Sequence, residues 1–73
     1  MVQDSDILNR FGNRLRELRK ERGFSQEKFA ELCDLDRTYI SGIERGLRNV
    51  SLRNLEVIAK ALQTSISCMF DKL

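Results

Sequence analysis

Within one and a half helical turns, the run Asp36-Arg37-Thr38-Tyr39-Ile40-Ser41 offers an arginine, a threonine and a serine. Arg37, Thr38 and Ser41 stand one, two and five residues past Asp36. In a helix that starts at Asp36, that spacing places them at the end that enters a DNA major groove first, pointing to base edges. Arg37 can donate two hydrogen bonds to guanine N7 and O6, worth about 1–3 kcal/mol of discrimination, and Thr38 brings a methyl for thymine beside its hydroxyl. The plain alternative for Arg37 is a solvated first-turn side chain. A cation there opposes the helix dipole, however, which points to an anionic partner. Gln26, Tyr39, Arg45, Arg48, Asn49 and Arg53 fall around the ends of elements, where donors meet phosphate and set register on the backbone. Singly, each is as easily a solvated surface residue; their clustering carries the reading. Gly42 leaves one position of this helix without a side chain, so base reading rests on fewer residues and DNA shape carries more of the specificity.

These residues need a scaffold, and Ser25 to Gly46 supplies two short amphipathic helices around a tight turn. Phe29, Ala30, Leu32 and Cys33 share one side of the first, and Ile40 and Ile43 point inward from the second. Ser25 and Asp36 are the N-caps. Between them Asp34-Leu35-Asp36 turns the chain, with Leu35 plugging the angle. This is a helix-turn-helix pattern. Ahead of it, about Asp6 to Arg22 forms a helix burying Ile7, Phe11, Leu15 and Leu18, closed by Gly23, and Gly12 marks a close approach of another helix. Arg16, Arg19, Lys20 and Arg22 suit the negative end of that helix's dipole. Glu44, beside the DNA-facing surface, requires neutralisation, and Arg19 is the partner, tying the first helix to the recognition helix. After Gly46, Leu47 and Val50 tuck under. Ser51 then caps a helix from Leu52 to about Leu62 whose stripe is Leu52, Leu55, Ile58, Ala59 and Leu62, with Val57 off it. A last helix from Ile66 to about Lys72, opened by Ser65 or Ser67, carries Ile66, Met69, Phe70 and Leu73. That is more apolar surface than so short an element hides in its own protomer, which predicts a homodimer. The expectation is an all-α, five-helix, compact single domain over residues 1–73.

Composition removes other classes. The 73 residues are 41% hydrophobic and 33% charged, and no apolar run approaches the roughly 20 residues of a membrane span. No basic stretch followed by a long apolar run opens the chain, so a cytoplasmic protein is expected. The absence of His removes the usual zinc spacings and the commonest acid–base residue. With neither a glycine-rich phosphate loop nor a nucleophile–base pair, no enzymatic activity, cofactor, metal or small-molecule ligand is expected. Of the two cysteines, Cys33 falls on an apolar face as a small buried hydrophobe, and Cys68 is left open. Net charge is only +2, but it is sorted: residues 10–22 carry +4, 24–36 carry −3 and 37–53 carry +3.

The runs NRLRELRKERG, SQEKFAELCDLDRTYISGIERG and RNVSLRNLEVIAKAL, with the final SISCMF, resemble the Cro and phage-repressor type of helix-turn-helix regulator. DRTYISGIERG is especially similar to the controller proteins of restriction-modification systems. The resemblance implies a lambda-repressor-like fold and DNA contacts from Arg37, Thr38, Tyr39, Ser41, Arg48 and Asn49. It also implies a phosphate-binding Gln26, a structural Arg19–Glu44 pair and a C-terminal dimerisation end. Two positions depart from the common pattern: Asp34 and Gln63 stand where glycine is frequent. The function expected is that of a homodimeric transcription regulator on a palindromic double-stranded operator, activating and repressing its own promoter. Glu27 and Glu31 are candidates for a contact with RNA polymerase. The alternatives are a prophage- or plasmid-type repressor, or an antitoxin or adaptor module acting through protein interaction.

Overall fold

The computed structural model describes residues 6–71 and 73. Its elements are α1 (Ile7–Glu21), α2 (Gln26–Cys33), α3 (Arg37–Glu44), α4 (Leu52–Leu62) and α5 (Ile66–Met69), with no strand among the described residues. Every helix opens on a side-chain cap. Asp6, Ser25, Asp36, Ser51 and Ser65 each accept from a backbone amide two or three residues on, at 2.7–3.3 Å, and each such cap stabilises by about 1 kcal/mol. The first four helices share one ending. The chain turns left-handed at Gly23, Asp34, Gly46 and Gln63, and the next residue's amide reaches back to a carbonyl in the last helical turn: Phe24 to Arg19, Leu35 to Ala30, Leu47 to Gly42 and Thr64 to Ala59. Asp34 and Gln63 hold this conformation at φ 57° and 56°, so the glycine expected there is replaced without changing the turn.

Helix α1 packs on α3, α2 on α3 and α4, and α4 on α5. Phe11, Leu15 and Leu18 from α1 meet Phe29, Ala30, Cys33, Ile40, Ile43, Leu55, Ile58, Ala59, Leu62 and Met69 in one core. Gly12 is where two backbones touch. A Cβ there would collide with the carbonyl of Ile43 and lie 2.7 Å from the carbonyl oxygen of Glu44, so α1 crosses the end of α3 at a distance only glycine permits.

Several apolar side chains lie elsewhere than their spacing suggested. Ile7 is 51% exposed and Leu52 81% exposed. Each is the first residue of its helix, and helical side chains lean toward the N-terminus, so these two lean off the end of the packed surface. Leu32 sits on the flank of the α2 stripe and is exposed, and Leu47 is 64% exposed rather than tucked under, whereas Val50 and Val57 pack against the core. The last helix is a single turn that ends at Met69; Lys72, where it was expected to end, lies outside the described residues, as do residues 1–5. Met69 is 0% exposed, so it belongs to the core rather than to a surplus surface. Phe70 stacks on Phe11 with ring centroids 5.1 Å apart, which fastens the C-terminal turn to α1.

Candidate nucleic-acid interface

The inner side of α3 is fixed by a buried carboxylate. Glu44, 2% exposed, ends α3 and points at α1. Arg19 Nε donates to its Oε2 at 2.6 Å and Arg19 Nη2 to its Oε1 at 3.1 Å, the paired geometry that makes arginine–carboxylate contacts strong. Gln26 Nε2 donates to the same Oε1 at 3.0 Å, and Arg16 Nε stands 3.6 Å away. Arg19 Nη1 also donates to the carbonyl of Phe24 at 2.7 Å. Burial pushes the Glu44 carboxyl up, but the hydrogen bonds from Arg19 and Gln26 and the charges of Arg19 and Arg16 outweigh it and hold the group below its ordinary value of 4.5. The carboxylate is thus ionised at neutral pH and joins α1, α2 and α3 at one point. Gln26, expected on phosphate, spends one of its amide donors here.

The arginines of α1 serve similar ends. Arg22 Nε donates to the carbonyl of Leu62 at 2.6 Å, satisfying the end of α4 rather than the end of its own helix. Arg14 donates to the carbonyl of Cys68 and pairs with Glu17. Cys33 is buried, which pushes its thiol up to about 11 and leaves it an inert core residue; Cys68 is exposed.

The outer side of α3 is built differently. Arg37 and Thr38 are exposed in its first turn, Ser41 is half-buried one turn on, and Arg45, Arg48 and Asn49 are exposed just past its end. Among the described residues, Arg37, Arg45, Arg48 and Arg53 make no ion pair. Tyr39 is half-buried; its hydroxyl accepts from Asn54 Nδ2 at 3.1 Å, and the Arg48 guanidinium lies over its ring, 5.8 Å from the centroid. Arg53 stands apart from this group, in a shallow groove with Leu52, Glu56 and Ile66. Asn54, the link from α4 to Tyr39, has no signal in the sequence, because its partner is fifteen residues away on another helix. Gly42, expected to leave a gap in the reading surface, is buried under the Arg48 stem.

A short capped helix, braced from behind by a buried ion pair and bordered in front by exposed arginines that make no ion pair among the described residues, has a shape and charge suited to a DNA major groove. A family model described as helix-turn-helix matches residues 15–67. The chain belongs to the helix-turn-helix family. Control protein C.MunI of Mycoplasma sp is 54% identical over 70 residues, spanning 94% of this chain and 95% of that protein. Among solved structures, the restriction-modification controller protein C.AhdI from Aeromonas hydrophila matches with a TM-score of 0.86 at 52% identity, over 88% of this chain and 97% of that one. The controller protein C.Esp1396I, as a tetramer in complex with its natural 35 base-pair operator, matches with a TM-score of 0.83 at 42% identity, over 92% and 88% of the two chains. The all-helical, five-helix fold is therefore that of a helix-turn-helix controller protein, and α2 and α3 are its helix-turn-helix pair.

Proposed function

We propose that this chain is a restriction-modification controller protein: a homodimeric regulator that binds a two-fold related DNA operator and acts on its own promoter, activating and repressing. The observation that carries it is the contrast across α3, where Arg19 and Arg16 on the inner side converge on the buried Glu44 carboxylate while Arg37, Arg45 and Arg48 on the outer side make no ion pair among the described residues. The similarity to proteins named as controllers, one of them on its operator, supports the same reading. Arg37, Thr38 and Ser41 read base edges; Tyr39, Arg45, Arg48, Asn49 and the remaining donor of Gln26 meet backbone. Two copies place their α3 helices about one DNA turn, roughly 34 Å, apart.

The dimer face we assign centres on Ile66 and Leu52, both exposed, with the half-buried Phe70 and Leu73 at its margin and without Met69. Arg53 and Glu56 line the same groove, so a two-fold axis through it pairs the arginine of one copy with the glutamate of the other. Glu27 and Glu31, exposed on the far side of α2, are the surface left for RNA polymerase. Gel shifts at physiological salt test the core of the proposal. Duplex from the chain's own promoter binds at least a thousandfold more tightly than random duplex, on the order expected of a specific regulator. Equal affinity for both sinks the reading.

A further inference from the structure

Gly42 is the one glycine of α3 and lies in its interior, with ordinary helical backbone: the positive-φ glycines are Gly23 and Gly46. Glycine there weakens the helix relative to alanine, and nothing in the backbone requires it. What occupies the space of the missing side chain is Arg48. A Cβ on Gly42 would lie 2.7 Å from Arg48 Cγ, 3.2 Å from Nε and 3.5 Å from Cδ. The arginine stem therefore lies flat against α3 in a notch only glycine leaves open. Beyond the notch the guanidinium rests over the Tyr39 ring, and the Tyr39 hydroxyl accepts from Asn54 of α4. This differs from Gly12, where the neighbours are backbone atoms that cannot give way. At Gly42 the neighbour is a flexible side chain that an added methyl would lift off.

We propose that Gly42 is a positioning residue for Arg48: the notch and the Tyr39 ring hold the Arg48 guanidinium beside α3, ready for DNA phosphate. This rests on the DNA-binding reading above. An arginine leaving a loop has many rotamers, and holding its stem before contact removes part of the ordering cost of binding. Gly42 thus contributes charge placement without a side chain of its own.

The test is a double-mutant cycle on full-length protein, with affinity for promoter duplex followed across salt. Arg48→Ala lowers the slope of log affinity against log salt by about one, the loss of a single phosphate contact. Gly42→Ala produces a similar loss, and the double variant loses no more than either alone. Gly42→Ala also melts no lower than wild type, because alanine is the better helix former. A wild-type salt slope in Gly42→Ala overturns the proposal, as do fully additive losses in the double variant. Should Gly42→Ala fail to fold, adding it to the Arg48→Ala background decides: unchanged binding supports the notch and a further loss overturns it. A normal slope in Arg48→Ala, with sequence preference still lost in Arg37→Ala, removes the Arg48 role while leaving the DNA-binding reading intact. Failure of wild type to prefer promoter DNA removes that reading itself.

Discussion

The chain uses arginine in two opposite ways, and the contrast lies across a single helix. Behind α3, Arg19 is almost fully buried and Arg16 half-exposed, both directed at Glu44, and Arg22 reaches the carbonyl end of α4. In front of and beyond it, Arg37, Arg45 and Arg48 are exposed and make no ion pair among the described residues. The same guanidinium braces the fold where a carboxylate or carbonyl meets it, and stays available where none does. Sequence segments of similar net charge, +4 and +3, therefore do different work. Net charge by segment does not separate the cations bound within the fold from those left exposed; the position of the acceptor does, Glu44 for Arg19 and Arg16 and the Leu62 carbonyl for Arg22.

From that division, breaking the inner set is expected to cost folding and breaking the outer set to cost recognition. The largest effect is expected from Glu44→Ala, which leaves Arg19 buried without its counter-charge and costs about 3–5 kcal/mol of stability, measured by chemical denaturation. A loss under 1 kcal/mol would erase the contrast. Arg37→Ala sharpens it from the other side. Stability shifts by no more than about 0.5 kcal/mol, while discrimination between operator and altered duplexes falls by about 1–3 kcal/mol in competition gel shifts. The smallest effect is a slope. Because the Glu44 carboxyl is held below its ordinary 4.5, its contribution is complete above that value and is lost as pH falls through the lowered native value. The stability difference between wild type and Glu44→Gln, followed by thermal melts, therefore narrows in acid. A difference constant down to pH 3 would mean that the carboxylate charge is not what binds the three helices.

Much of the fold is legible in the sequence because the signals are local. Ser25, Asp36 and Ser51 cap within three residues, the apolar stripes of α1 and α4 repeat along one helix, and Gly23 and Gly46 end helices by backbone conformation alone. The Arg19–Glu44 pair is legible for another reason: a carboxylate beside a cationic surface needs a partner. What is not legible depends on where one helix stops relative to another. Ile7 and Leu52 satisfy the stripe yet overhang its end, and Met69 looks like surplus surface until α5 is found packed on α4 with Met69 fully buried in the core. The attachment of Gln26 to Glu44 and of Asn54 to Tyr39 arises only when separate helices meet. Gly42 shows the limit most plainly, since the side chain that defines its role belongs to Arg48.

The contact at Gly12 has a mechanical consequence. There the backbone of α1 rests directly on the carbonyls that end α3, and the adjacent ion pair locks the same corner. With only backbone atoms between them, no side chain at this crossing can change rotamer to let the two helices shift. On the DNA-binding reading proposed above, a corner without give leaves the adjustment to an imperfect site to the duplex, whose flexible base steps deform most readily.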